Sequence, residues 1–298
     1  MATPQIPSPG SPANFRASYQ ECRYTAQDGL SLYYRRYGKA VHDRPALLCL
    51  GGLTRNSKDF HLLAKRYMDR TLVLCPDYRG RGRSDYAPTS ASYRPEAYLD
   101  DLRHLFVVEA VHRVVVIGTS LGGLLAMGLG VSQPTVIAGA LLNDVGPDLH
   151  FPALRSVMSF MRRTEPLATW ADAAGLLKEY FPDFPAGTDE IWEAIARATW
   201  QETPRGLVFD WDPKILEPVE ADPEPDIDLW PLFRSLGGRP LVSVRGGKSD
   251  LFTAEAQAAM AAAHPGLVTV TVEGVGHAPS LGEREVLEVL DALVDQAR

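Results

Sequence analysis

The chain has 298 residues, of which 45% are hydrophobic and 22% are charged. This length and composition allow a large buried core, which excludes a disordered or fibrous protein and favours one α/β domain with room for an inserted subdomain. Its 30 basic and 37 acidic residues leave a formal net charge of −7, so neither a nucleic acid nor an anionic membrane surface is an expected partner.

The first 18 residues, MATPQIPSPGSPANFRAS, are rich in proline and serine and lack the basic start and apolar core of a signal peptide. We therefore expect residues 1–18 to form a flexible leader. The three cysteines are odd in number, and two of them lie inside apolar strand-like runs, which favours a reducing, cytoplasmic location. No run of 18 apolar residues occurs, so no membrane-spanning segment is expected.

The first predicted elements are two strands in ECRYTAQDGLSLYYRRYG, around a turn at Asp28 and Gly29. Continuous apolar strands follow, separated by helical patterns. The predicted strands are 46–50, 71–75, 113–118, 138–144, 240–246 and 267–274. The predicted helices lie near 57–68, 95–111, 121–132, 253–263 and 283–297. Such strands, apolar along their whole length, indicate a parallel sheet covered by helices on both faces, with the hairpin adding antiparallel strands at one edge.

One region interrupts this alternation. Residues 147–236 lose the strand runs, become helical and aromatic, and contain all five tryptophans of the chain. We expect this segment to be a helical cap inserted into a core domain made of residues 19–146 and 237–298.

The stretch VVVIGTSLGGLLAMG places Ser120 between a buried strand and a helix of small residues. A serine that acts as a nucleophile must project from a sharp strand-to-helix turn, and the crowding there requires small neighbours such as Gly118 and Gly122. The free N–H groups of the following helix favour negative charge at the same place. The alternative is that Ser120 only caps the helix.

A base and an acid should follow in the chain order Ser, Asp, His. Asp250 lies in the loop after one late strand and His277 in the loop after the next, and parallel strands bring both loops to the edge where Ser120 lies. Asp144, at the end of another strand of this edge, is the rival acid. We expect Asp250 to be the acid, because it lies in its own glycine-rich loop.

An oxyanion hole needs two backbone N–H donors. The sequence predicts that Leu121 supplies one and Leu53 the other, because Gly51 and Gly52 allow their loop to pass close to the serine. An ordinary turn is the alternative role for this glycine pair. No histidine pair has zinc spacing, so neither a metal nor another cofactor is expected.

Five stretches together resemble the α/β-hydrolase fold family, in its capped, esterase-like branch: LGGLTRNSKDF, CPDYRGRGRSD, GTSLGG, RGGKSD and GVGHAP. The resemblance covers the chain from about residue 20. It implies a mostly parallel eight-stranded sheet with helices on both faces and a helical cap inserted after strand 6. Gly51 stands where the family often has histidine. The arginines of CPDYRGRGRSD resemble scaffold residues of the family, and no catalytic role is assigned to them.

These residues predict a serine hydrolase of small to medium, apolar or aromatic carboxylic esters. One alternative on the same triad is hydrolysis of a C–C bond in a β-diketone or ring-fission product, or of a lactone, with Arg55 binding a substrate carboxylate. Another is a ligand-binding receptor with little catalysis. The cap tryptophans are expected to cover the serine and contact a small-molecule substrate. They are Trp170, Trp192, Trp200 and Trp211. The sequence predicts no oligomeric state.

Overall fold

The computed structural model describes residues 18–184, 187–222 and 227–297. The described residues form ten strands: β1 (Gln20–Thr25), β2 (Ser31–Tyr37), β3 (Ala46–Leu50), β4 (Val73–Pro76), β5 (Val114–Thr119), β6 (Ile137–Asn143), β7 (Trp200–Thr203), β8 (Gly206–Phe209), β9 (Leu241–Gly246) and β10 (Leu267–Val272). They also form ten α-helices: α1 (His61–Tyr67), α2 (Pro95–Val108), α3 (Leu121–Ser132), α4 (Leu154–Met161), α5 (Trp170–Tyr180), α6 (Asp189–Thr199), α7 (Leu216–Ala221), α8 (Trp230–Arg234), α9 (Ala254–Ala263) and α10 (Arg284–Gln296). None of the described helices is long and apolar enough to cross a membrane. The expected leader lies outside the described residues, apart from Ser18.

Eight of the strands form one sheet in the order β1-β2-β4-β3-β5-β6-β9-β10. The pairs β1/β2 and β2/β4 are antiparallel, and every other neighbouring pair is parallel. The predicted mostly parallel eight-stranded sheet, with its antiparallel hairpin at one edge, is therefore confirmed. The carboxyl ends of β3, β5, β6, β9 and β10 all meet at one edge, which we call the catalytic edge because the sequence predicts catalytic residues there.

The central strands are apolar along their length because both faces of the sheet are covered. In β5, Val114 and Val116 pack into the core on one face, whereas Val115 and Ile117 pack into the core on the other. Helices α2, α3, α8 and α9 contribute buried residues to the first core. Helices α1 and α10 contribute to the second. Because successive side chains of a strand point to opposite faces of the sheet, each central strand contributes to both cores.

The segment between β6 and β9, which we call the insert, contains helices α4 to α8 and a small antiparallel sheet of β7 and β8. The expectation that this segment lacks strands was wrong. Its two strands flank a turn at Pro204 and Arg205, and Gly206 at the end of that turn has φ +113°. This conformation favours glycine, so the turn signal was present in the sequence.

Candidate active site

Ser120 lies at the joint between β5 and α3, with φ +52° and ψ −115°. A non-glycine residue in this region is strained, and such strain persists only where the surrounding structure imposes it. The hydroxyl of Ser120 makes no cap hydrogen bond to the helix, although the residue occupies the N-cap position. The simple capping role is therefore not supported, and the side chain is half-buried at the catalytic edge.

The glycines on either side of Ser120 are required by space. A Cβ atom on Gly118 would lie 2.4 Å from the carbonyl oxygen of Gly122. A Cβ atom on Gly122 would lie 2.1 Å from the carbonyl oxygen of Leu50. Both approaches involve backbone atoms, which cannot rotate away. The sharp turn that presents Ser120 therefore depends on both glycines.

The acid that contacts His277 is Asp144. Its Oδ2 atom lies 2.6 Å from Nδ1 of His277, and the Asp144 side chain is completely buried. Asp250, the preferred acid of the sequence analysis, is an exposed residue. Its backbone carbonyl oxygen lies 3.3 Å from Nδ1 of His150, at the start of the insert. The geometry thus favours the rival acid, Asp144, over Asp250.

The loop after β9 nevertheless contributes to the acid, through the residue before Asp250. Ser249 donates its hydroxyl to Oδ2 of Asp144 at 2.5 Å, and the Gly246 N–H donates to Oδ1 at 2.7 Å. With the His277 ring, the buried carboxylate has three hydrogen-bonding partners, which is how a buried charge is normally stabilised. Asp144 itself has φ +55°, so the backbone that positions this carboxylate is strained.

Asn143 links the strand β6 to the loop that carries His277. Its Nδ2 atom donates to the carbonyl oxygen of Pro279 at 2.9 Å and to the hydroxyl of Thr119 at 3.0 Å. A carbonyl oxygen only accepts, so the contact with Pro279 fixes which end of the amide is the nitrogen. The buried Oδ1 atom of Asn143 has no hydrogen-bond partner among the described residues.

The same histidine loop also contacts the insert. The N–H of Gly276 donates to the carbonyl oxygen of Asp183 at 3.0 Å. The carboxylate of Asp183 binds Nζ of Lys248 at 2.6 Å. Residues 183, 248 and 276 therefore join the insert to two loops of the catalytic edge, and we call this contact the insert latch.

The loop after β3 passes beside the serine, as the sequence analysis expected. A Cβ atom on Gly52 would lie 3.7 Å from Cβ of Ser120. The amides of Gly123 and Leu124 donate to the Ser120 carbonyl. The amides of Leu53 and Leu121 have no hydrogen-bond acceptor among the described residues. Two backbone donors are thus available near the serine, and their role as an oxyanion hole stays a prediction.

Arg55 is engaged within the protein. Its Nε and Nη2 atoms bind the two carboxylate oxygens of Asp59, each at 2.6 Å. Its Nη1 atom donates to the Thr199 hydroxyl of the insert at 2.7 Å. A guanidinium held by a two-pronged ion pair is a poor ligand for a substrate carboxylate, so the geometry does not support the role suggested for Arg55.

The tryptophans of the insert pack mainly on other aromatic rings. Trp200 and Trp211 are each 2% exposed, and both stack on Phe209, with ring centroids at 5.0 and 4.0 Å. Trp192 contacts Phe184, and Trp170 lies under the guanidinium of Arg197. These contacts form a core for the insert, while contact of the tryptophans with a substrate stays a prediction.

The sequence analysis missed Ser249 and Asn143. Each lies next to a residue that it had singled out, Asp250 and Asp144. The available signal was a polar side chain next to an acidic one at the end of a strand. The sequence does not show which of two neighbouring loop residues points inward, because this depends on the loop conformation. Among the described residues, no group of three or more histidine, cysteine, aspartate or glutamate side chains could hold a metal ion.

Known proteins share the fold of this chain. A model of the alpha/beta hydrolase family matches residues 47–292. The chain belongs to this family. A crystal structure of an alpha/beta hydrolase from Novosphingobium aromaticivorans superimposes with a TM-score of 0.88 at 41% identity, covering 94% of this chain and 99% of that one.

Two curated relatives in the family have named activities. One is a 3-hydroxybutyrate-oligomer hydrolase from Cupriavidus necator, which is 31% identical over 83% of this chain and 87% of its own length. The other is a 2-(acetamidomethylene)succinate hydrolase from Mesorhizobium japonicum, 27% identical over 83% of this chain and 88% of its own. Both of these relatives are thus named as hydrolases.

Proposed function

We propose that this protein is a serine hydrolase of carboxylic esters, with Ser120 as nucleophile, His277 as base and Asp144 as the acid that orients it. The observation that carries this proposal is the 2.6 Å contact between Nδ1 of His277 and the buried carboxylate of Asp144. Because that contact engages Nδ1, Nε2 is the ring atom that is left to take a proton from the serine.

In the first step, the Ser120 oxygen attacks the ester carbonyl carbon while His277 takes the hydroxyl proton. Negative charge develops on the carbonyl oxygen, where the amides of Leu53 and Leu121 would stabilise it. Asp144 stabilises the imidazolium that forms. The tetrahedral intermediate then collapses: the bond to the alcohol breaks, and the proton on His277 passes to that alcohol.

In the second step, water attacks the acyl group on Ser120 and His277 accepts a proton from that water. Collapse of the new intermediate releases the acid and returns the proton to the serine oxygen. The reaction consumes one ester and one water and yields one acid and one alcohol. The reaction as written is balanced with the ester and the water as its only reactants.

The choice of an ester rests on two observations. Oligomers of a hydroxy acid are joined by ester bonds, and the relative that hydrolyses 3-hydroxybutyrate oligomers matches most of this chain. The basic group suggested for acidic C–C substrates, Arg55, is held by Asp59 and Thr199. We therefore place esters of short acids, including short hydroxy-acid oligomers, before β-diketones and lactones as the substrate class.

The test is substitution of the nucleophile. Ser120→Ala should lower kcat on p-nitrophenyl butyrate by roughly 10⁴- to 10⁶-fold, the range measured when a triad is disrupted. A fluorophosphonate should label the wild type at Ser120 and leave Ser120→Ala unlabelled. Near-normal turnover by the folded variant would end the proposal, and a wild type that is neither labelled nor active on any ester would favour a receptor.

A further inference from the structure

Arg81 is a buried arginine without a charged partner. Its side chain is completely buried, and it forms no ion pair with any of the described residues. Its donors instead bind neutral acceptors: the carbonyl oxygens of Leu53 and Arg79 and the hydroxyl of Tyr98, each at 2.8 Å. Its Nη2 atom has no partner in the described part of the chain.

The neighbouring arginines show the ordinary arrangement. Arg79 binds the carboxylate of Asp101 through two donors and also pairs with Asp28. Arg83 is half exposed and pairs with Glu21. Burying a charge is costly unless a countercharge offsets the lost hydration. The hydrogen bonds of the Arg81 side chain go to neutral groups, and the carboxylate of Asp212 is reached only through the hydroxyl of Tyr93. The cost of this arrangement points to a role other than scaffold.

Aromatic faces compensate part of this cost. The Arg81 guanidinium carbon lies 5.0 Å from the ring centroid of Tyr98 and 5.8 Å from those of Tyr78 and Tyr93. The electron-rich faces of these rings attract the cation without neutralising it. The positive charge therefore stays available to act on its surroundings in a region from which water is excluded.

The surroundings include the loop beside Ser120, where three successive carbonyl groups are held. The hydroxyl of Tyr78 donates to the Gly51 carbonyl at 3.1 Å, and burial raises the pKa of this phenol, so it stays protonated. The Arg55 N–H donates to the Gly52 carbonyl at 3.1 Å. Arg81 Nε holds the Leu53 carbonyl at 2.8 Å. Arg81 thus provides the last of three anchors.

These anchors fix the direction of the Leu53 amide. A trans peptide is planar, and its N–H points opposite to its C=O. The Gly52 carbonyl sets the peptide plane before Leu53, and the Leu53 carbonyl sets the plane after it. Arg81 thus contacts the same residue whose amide would bind the oxyanion.

We propose that Arg81 is a positioning residue of the oxyanion hole, which fixes the Leu53 peptide and adds a positive charge, without a direct ion-pair partner among the described residues, that favours negative charge on the reacting carbonyl oxygen. This inference rests on the proposed function. It assigns to Arg81 an effect on the transition state, since the substrate carbonyl is neutral before attack. Its loss should therefore lower kcat and leave KM nearly unchanged.

The test compares Arg81→Met, Arg81→Lys and the matched control Arg83→Met on p-nitrophenyl butyrate. We expect Arg81→Met to lower kcat by about 10²- to 10³-fold, the range seen when an oxyanion donor is removed, with KM within a few-fold of wild type. Arg81→Lys should recover part of this loss, because it keeps the charge without the planar fork. Arg83→Met should match the wild type.

A second readout is the affinity for a trifluoromethyl ketone, which forms a tetrahedral oxyanion with the serine. Arg81→Met should weaken it by the same factor as kcat, whereas a residue that only stabilises the fold would lower the melting temperature and leave this affinity unchanged. Where Arg81→Met does not fold, Arg81→Lys and Tyr78→Phe provide the test, and each should lower kcat in a folded protein.

Wild-type kcat in folded Arg81→Met, or in both Arg81→Lys and Tyr78→Phe, would overturn the inference, as would an effect on KM alone. Ser120→Ala separates this failure from that of the proposed function. An inactive Ser120→Ala beside a fully active Arg81→Met would refute only the role of Arg81. An active Ser120→Ala would refute the function itself.

Discussion

The catalytic edge and the insert bury their side chains in contrasting ways. At the catalytic edge, each buried polar group has its own set of hydrogen bonds, as in the three contacts of the Asp144 carboxylate. In the insert, aromatic rings share one cluster, in which Phe160 alone contacts five other rings. Directed bonds specify positions, whereas ring packing mainly supplies stability. Substitutions in the two regions should therefore damage different properties.

The largest expected effect is on the acid. Asp144→Asn should lower kcat by roughly 10⁴-fold, because an amide in place of the triad carboxylate favours the wrong histidine tautomer. The matched variant, Asp250→Asn, changes an exposed residue and should stay within a few-fold of wild type. Steady-state kinetics on p-nitrophenyl butyrate would check both. A large loss in Asp250→Asn with little effect of Asp144→Asn would reverse the assignment of the acid.

The next effect is on stability. Phe160→Ala removes the ring at the centre of the insert cluster and should lower the free energy of unfolding by about 3–5 kcal/mol, measured by urea denaturation. Phe184→Ala, at a half-buried ring that contacts Trp192, should cost less. Both variants should retain kcat within a few-fold well below their melting temperatures. If kcat in Phe160→Ala fell as far as in Asp144→Asn, the idea that the insert mainly supplies stability would be wrong.

The smallest effect concerns the hydroxyl that holds the acid. Ser249→Ala should lower kcat by about 10-fold, because one of the bonds that orient the Asp144 carboxylate is lost. The control, Ser243→Ala, removes a buried hydroxyl that contacts Gln257 instead. A kcat of Ser249→Ala equal to that of Ser243→Ala would leave Ser249 no role in positioning the acid.

Sequence reasoning worked best where the topology of the sheet leaves little freedom. Strands that are buried on both faces must be apolar, and parallel strands must end at one edge, so Ser120 and His277 could be assigned to that edge from their spacing. The same reasoning could not choose between Asp144 and Asp250. Both follow strands of the same edge, and the choice depends on loop conformation, which places Ser249 inward and Asp250 outward.

The insert was less predictable for a physical reason. Its strands β7 and β8 have four residues each, too few for a clear period of two. Aromatic residues are common both in the core of a cap and in a substrate pocket. Composition alone therefore could not show whether Trp200 and Trp211 pack in the core or contact a substrate. Arg81 was treated as scaffold with its neighbours, because only the folded chain shows that its donors bind neutral acceptors instead of a carboxylate.

The insert latch means that the loop carrying His277 and the insert cannot move independently. The Gly276 N–H and the Lys248 ammonium both hold Asp183, and Gly276 precedes His277 directly in the chain. A molecule that pushed the insert away from the sheet would strain the peptide beside the His277 ring. Conversely, fixing the position of this ring would favour contact between the insert and the sheet. In the proposed mechanism, substrate entry beneath the insert would therefore be thermodynamically linked to the position of the base.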